Sequence, residues 1–233
     1  MTLRREELAE NLAIVDERIA AACAAAGRQR DDVTVIVVTK TYPASDVDLL
    51  VELGVTDIGE NRHPEAGRKL AELAGPAPPR LHFIGGLQTN KANAVARYAD
   101  VVQSVDRRPL VEALSRGAVL AERELGCLVQ VDFDASVRGR SGVAPADAEA
   151  LADLVAGSPG LRLDGVMTVA PLGDDPRRSF DALASISENV RRLHPAATVI
   201  SAGMSDDFER AIQSGATHLR VGRLILGERA PLR

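Results

Sequence analysis

The chain has 233 residues, 45% of them apolar, and its 33 acidic and 28 basic side chains leave a net charge of −5. That length and composition suit one large or two small globular domains with an ample core. With no Trp, two Tyr and four Phe, the chain lacks the basic, aromatic-interleaved surface that nucleic acid demands, and no apolar run approaches the ~20 residues that span a bilayer.

Arg4, Arg5, Glu6 and Glu7 open the chain with charge instead of the apolar core of a signal peptide. Residues 3–26 are predicted to be a helix, because Leu8, Leu12, Val15, Ile19 and Ala22 recur on one face and Gly27 follows as a stop. From Val33 onward, short apolar runs alternate with helical stretches. The expected strands cover 33–39, 55–59, 81–85, 101–105, 127–133, 163–170, 198–203 and 218–222, and the expected helices 44–53, 62–74, 88–98, 107–124, 146–156, 177–193 and 206–214. Leu110, Leu114 and Ala118 line one helix face, and Leu183, Ile186, Val190 and Leu193 another. The segment 75–79, rich in proline, reads as a loop rather than a linker.

Continuous apolar strands, each followed by a helix, indicate a parallel sheet covered on its outer face. Eight units of about 25 residues favour closure into a (β/α)8 TIM barrel over 33–229, with a doubly wound open sheet as the rival. The whole of 1–233 is expected to be one domain with an extra N-terminal helix. Cys23 and Cys127 have no metal-ligand spacing and read as buried thiols in a reducing compartment. A soluble cytoplasmic protein with no nucleic-acid or membrane partner is therefore expected.

In such a barrel the chemistry sits at the C-terminal strand ends. Lys40 stands at the end of the first strand, and the chain has only three lysines, Lys40, Lys69 and Lys91. Where arginine is the usual cation, a retained lysine suggests a need for an amine, which can lose a proton and form an imine as guanidinium cannot. A surface lysine whose stem covers the barrel rim fits the spacing equally well. Gly203, Ser205 and Gly222 end the seventh and eighth strands, where barrels bind phosphate through backbone N–H groups. Asp206, with Glu209 three residues on, fits a capping box. Arg223 is placed to offset the negative charge of Asp206 and Asp207, although isolated glycines more often only permit tight turns. The four histidines lack metal-binding spacing, and Met167 taken alone reads as core.

The segments VIVVTKTYP around Lys40, GENRHPE (59–65), LHFIGGLQTNK (81–91), GVMTVAP (165–171), AGMSDDFERAIQSGAT (202–217) and RVGRLILGER (220–229) occur in an order that resembles the pyridoxal-phosphate homeostasis protein family. The resemblance spans nearly the whole chain. It implies a monomeric (β/α)8 barrel like the alanine racemase N-terminal domain, with pyridoxal 5′-phosphate (PLP) held as a Schiff base on Lys40. By motif position it places Asn61 near the ring, Arg220 at the pyridine nitrogen, Ser205, Gly222 and Arg223 at the phosphate, and Met167 in the pocket lining. Arg223 replaces a common threonine, Tyr42 a common second lysine, Arg62 a tyrosine and Leu81 a tryptophan. An amine and a phosphate cradle are what the two ends of PLP require.

A guanidinium can only donate, so an arginine at the pyridine nitrogen leaves it unprotonated and a poorer electron sink. Racemases with this arrangement add a second base from another domain, for which the chain leaves no room after the last barrel unit. The expectation is therefore a PLP carrier that hands its cargo transiently to apo-enzymes, with no robust turnover. An amino-acid racemase and a PLP-free Schiff-base aldolase are the rivals.

Overall fold

The computed structural model describes residues 2–75, 77–134, 140–171 and 173–227. Strands β1 (Thr34–Val38), β2 (Asp57–Glu60), β3 (Arg80–Phe83), β4 (Val101–Val105), β5 (Leu125–Val131), β6 (Leu161–Thr168), β7 (Val199–Ser201) and β8 (His218–Val221) pair in sequence order, all parallel. β8 returns to β1 and closes the barrel, with Thr34 opposite His218 and Val37 opposite Val221. Both short strands expected from the sequence, at 55–59 and 101–105, are present, and the open sheet is excluded. The last two residues of the expected barrel, 228 and 229, lie outside the described residues.

Helices α1 (Thr2–Ala25), α2 (Ala44–Glu52), α3 (Glu65–Ala71), α4 (Ala92–Val95), α5 (Arg108–Leu120), α6 (Ala148–Ala156), α7 (Pro176–Leu193), α8 (Phe208–Gln213) and α9 (Arg223–Leu226) surround the strands. Side chains alternate across each strand, and the alternation separates two cores. The outer one joins strands to helices: Val37, Ile58, Cys127, Val129 and Val166 meet Leu110 and Leu114 of α5 and Phe180 and Leu183 of α7. The inner one is small, with Val101, Leu128 and Met167 packed together, and the interior also holds apolar Ile36, opposite Arg220, and a set of buried polar side chains. Leu193, expected on the buried face of α7, is 65% exposed at the helix end, and Phe180 is buried on that helix instead. The last turn of α7 has run past the sheet edge it covers.

Helix α1 buries the expected face, with Leu8, Val15, Ile19 and Ala22 in the core and Leu12 packed against it. It also serves α9, which the sequence pattern did not mark. Asn11 Nδ2 donates to the Ile225 carbonyl at 3.0 Å, and Arg4 donates to the Leu226 carbonyl at 3.1 Å. Carbonyls of a last helical turn have no partner inside their own helix, so α1 supplies what α9 lacks. Arg18 adds an ion pair to Glu209 at 2.6 Å and lies over the Phe208 ring. Among the described residues, no helix is long and apolar enough to cross a membrane, and no group of His, Cys, Asp or Glu is arranged to hold a metal. Cys23 and Cys127 are free and buried.

Gly165 shows why GVMTVAP begins with glycine. Its φ is +152°, and a Cβ there would lie 1.9 Å from the Val199 carbonyl oxygen, across the β6–β7 pairing. Gly165→Ala is expected to cost about 3 kcal/mol or more through strand displacement. Urea unfolding of the purified variant checks this, and a midpoint within error of wild type would refute it.

Candidate functional site

The loop after β1 presents Lys40 from a braced backbone. Just before it, the Thr39 carbonyl accepts from Lys69 Nζ at 2.8 Å. The Thr39 hydroxyl donates to Glu60 Oε1 at 2.7 Å, and the same carboxylate oxygen takes Lys69 Nζ at 2.5 Å. Lys69 and Glu60 are buried, so one of the chain's three lysines is structural. Just after Lys40, Thr41 holds φ +74°, a left-handed conformation that a β-branched residue adopts only under constraint. Tyr42 then donates its hydroxyl to the Gly227 carbonyl at 2.8 Å. These contacts pin the backbone on both sides of Lys40.

Lys40 lines a cavity of about 170 Å³ together with Val38, Ile84, Met204, Ser205, Asp206, Arg220, Gly222 and Arg223. The β1–β8 seam explains the grouping. With Val37 opposite Val221, Gly222 falls beside Val38, and a Cβ on it would stand 3.2 Å from the Val38 carbonyl oxygen. Ser205, on the loop after β7, is 8% exposed, and its hydroxyl makes no hydrogen bond within the described residues. Arg220 is 4% exposed. It donates to Ser201 Oγ and to the Thr168 carbonyl, both at 2.7 Å. Burial pushes its pKa down to about 10, with Asp207 acting in the opposite direction.

The expected capping box at 206–209 is not formed. Helix α8 starts one residue later, with Asp207 at its N-cap, because Asp206 is engaged elsewhere in an ion pair with Arg223. Asp207 instead accepts from the Met204 backbone N–H at 2.6 Å, and its pKa is raised by burial. Glu209 is taken by Arg18. Arg223 therefore offsets the carboxylate of Asp206, as expected from its charge, and does so on an exposed rim.

Of the seven residues singled out from sequence, the cavity unites Lys40, Ser205, Arg220, Gly222 and Arg223. Asn61 lines a neighbouring hollow of about 280 Å³ with Arg62, His63 and Lys91. Met167 is 1% exposed and sits in the inner apolar cluster with Val101 and Leu128, the core position its residue type suggests. A larger cavity, about 450 Å³, lies between α1 and β1 and is lined by Leu12, Val15, Thr34 and Thr56. It is at the opposite, N-terminal end of the strands and contains no amine, so size does not mark the site. Two features were invisible from sequence, the Thr41 strain and the polar interior beneath Arg220. Only the β-period placing of Gln103 and Ser201 on inward positions could have hinted at the second.

His218, at the start of β8, lies inside the barrel beside His82. Burial, reinforced by His82, lowers its pKa from 6.5 to about 4. The unfolded chain therefore binds a proton that the folded chain refuses, so stability is full above about pH 6.5 and falls as the pH drops towards 4. The loss should approach about 2 kcal/mol by pH 5. Urea unfolding at pH 7.5 and pH 5 measures it, and His218→Gln should lose most of that difference.

The alanine racemase N-terminal domain family profile matches residues 7–230. The chain is 39% identical over 243 residues to the pyridoxal phosphate homeostasis protein of Mycobacterium tuberculosis, covering 97% of this chain and 94% of that one. It is 32% identical to the protein of the same name in Escherichia coli, covering 96% and 97%. It is also similar to PipY of Synechococcus elongatus, whose structure was determined with PLP bound, at 30% identity and a TM-score of 0.82, covering 94% of this chain and all of that one. Near full-length similarity of both sequence and barrel leaves one conclusion: the chain belongs to the pyridoxal phosphate homeostasis protein family, built on the alanine racemase N-terminal domain.

Proposed function

We propose that the protein binds PLP in the cavity between β1 and β8 as a reversible carrier, attached through Lys40. The observation that carries this reading is the composition of one cavity wall: an amine, a buried guanidinium, and a nearly buried hydroxyl beside a glycine. Those donors match the aldehyde, the ring nitrogen and the phosphate of PLP. The Lys40 amine would condense with the aldehyde, forming a carbon–nitrogen double bond and releasing water, with no net redox change. Ser205 Oγ, with backbone N–H groups following Gly222, would take phosphate oxygens. The N–H groups of Arg223 and Leu224 begin α9 and have no partner within that helix. Arg220 would donate to the ring nitrogen. PLP bound in such a site supplies an electrophilic carbonyl and an electron-accepting ring.

Two features favour carriage over turnover. A guanidinium donates and takes no proton back, so Arg220 would leave the ring nitrogen unprotonated and the ring a weak electron sink. Among the described residues lining the cavity there is no tyrosine or histidine, Lys40 is the only amine, and the one carboxylate, Asp206, is paired with Arg223 on the exposed rim. We further propose that the barrel acts as one PLP-binding domain, monomeric and cytoplasmic, which passes PLP transiently to apo-enzymes. Asn61 and Met167, one in the neighbouring hollow and one in the inner cluster, would act at the edge of this site and from behind it.

Incubation with PLP followed by borohydride should fix a phosphopyridoxyl group on the Lys40 peptide, located by mass spectrometry. Lys40→Ala should lose that adduct and the visible absorption of the bound form while keeping its melting temperature. Attachment at Lys69 or Lys91 would reject the assignment. Chiral chromatography of L-alanine after prolonged incubation with the PLP-loaded protein should show no conversion to the D form above buffer, whereas steady turnover would replace the carrier reading with a racemase.

The Asp206–Arg223 pair allows a charge test. Arg223→Ala exposes the Asp206 carboxylate to the phosphate and should weaken PLP binding by about threefold, the scale of a screened surface pair. Adding Asp206→Asn should restore the affinity. Equal affinity in wild type and the single variant would place both side chains outside the field of the phosphate.

A further inference from the structure

Beneath the cavity, five polar side chains form a single chain through the barrel interior. Arg220 on β8 donates to Ser201 Oγ on β7 at 2.7 Å. Ser201 donates to Gln103 Oε1 on β4, also at 2.7 Å. Gln103 Nε2 and His82 Nδ1 on β3 are 2.9 Å apart, and His82 Nε2 and Asp57 Oδ1 on β2 are 2.8 Å apart. All five residues are buried, Gln103 and Ser201 completely.

The chemistry of its two ends sets the direction of this chain. Arg220 has donors only, so Ser201 accepts from it and must spend its one proton on Gln103 Oε1. That orients the Gln103 amide, leaving its N–H₂ group to donate to His82 Nδ1. At the far end, against the effect of its burial, hydrogen bonds from His82 and Thr56 hold Asp57 below the usual carboxylate range. Asp57 is therefore an acceptor, and His82 Nε2 carries the hydrogen. The two ends agree in the middle, so every proton points away from Arg220 and towards Asp57. Arg220 makes no direct ion pair with a carboxylate among the described residues. Its two inward bonds go to neutral oxygens, Ser201 Oγ and the Thr168 carbonyl. The guanidinium is thereby fixed in plane and orientation without having its charge cancelled.

We propose that Gln103 is a positioning residue for the cofactor: through Ser201 on one side and the His82–Asp57 pair on the other, it locks the orientation in which Arg220 presents its remaining N–H groups to the ring nitrogen. This rests on the PLP reading above and deepens it. Hydrogen bonds arranged head to tail polarise one another, and removing a middle member leaves buried donors and acceptors unmatched on both sides. Arg220 would then be free to rotate within its walls, and the ring nitrogen would lose an aligned donor.

The test compares PLP with its 1-deaza analogue, in which C–H replaces the ring nitrogen. Gln103→Met keeps the length and packing of the side chain but can accept only weakly from Ser201 and cannot donate to His82. Wild type and variant are titrated with both ligands, following the visible absorption of the bound form, and the apo-proteins are melted. We expect the variant to bind PLP about tenfold more weakly, the scale of one misaligned buried bond, with a shifted absorption maximum and unchanged affinity for the deaza analogue. Ser201→Ala, which removes only a hydroxyl next to Arg220, should show the same selectivity and serves if Gln103→Met folds poorly. An equal loss for both ligands would mean that Gln103 acts only on the fold, and no loss for either would mean that Arg220 needs no support; both results overturn the inference. Failure of wild type to bind PLP at all would instead overturn the underlying cofactor assignment.

Discussion

Closure of the sheet between β1 and β8 is the constraint on which the site depends. Lys40 and Gly222 are far apart in sequence, and the Val37–Val221 pairing brings the ends of their strands together. The seam tolerates no side chain at Gly222 without crowding the Val38 carbonyl. An amine after one strand and the glycine turn after the other then line a single cavity. An open sheet of the same strands would leave the two groups at opposite edges, with no one cavity to hold both.

Much of the molecule outside the barrel wall serves to hold that juncture still. The buried Lys69–Glu60 pair grips the backbone before Lys40, and Tyr42 ties the backbone after it to the end of α9. Helix α1 completes the hydrogen bonding of α9 through Asn11 and Arg4. The N-terminal helix is therefore coupled to the Gly222 end of the cavity, and α3 to its Lys40 end. Preorganised groups lose little entropy on binding, so a ligand can enter and leave the cavity without a large rearrangement of the barrel.

The interior departs from the all-apolar filling that bulky strands lead one to expect. Val101, Leu128 and Met167 fill one part, while Asp57, His82, Gln103, Ser201 and Arg220 cross another as a connected hydrogen-bonded series. A buried guanidinium is costly unless its donors are met, and here two of them are met by neutral acceptors. Its charge remains available at the mouth of the barrel. A direct carboxylate partner would have stabilised Arg220 more and left less of its charge for a ligand.

The sequence by itself determined the elements and their type, because hydrophobic period is a local property. The face of α1, the apolar runs of β1, β5 and β6, and the stops at Gly27 and Gly54 were all legible, as was the singular position of Lys40. Errors gathered where a tertiary contact competed with a local rule: Asp206 left its cap for Arg223, and Leu193 overran the sheet. Helix α9 was missed because four residues carry no period, and α1 rather than its own sequence satisfies its end. Tertiary structure alone decided which polar residues meet. Gln103 and Ser201 are ninety-eight residues apart, and no local pattern records that two inward positions on different strands share one proton. Physically, pairing across a closed barrel is set by strand register and shear, which emerge only when all eight strands have found their neighbours.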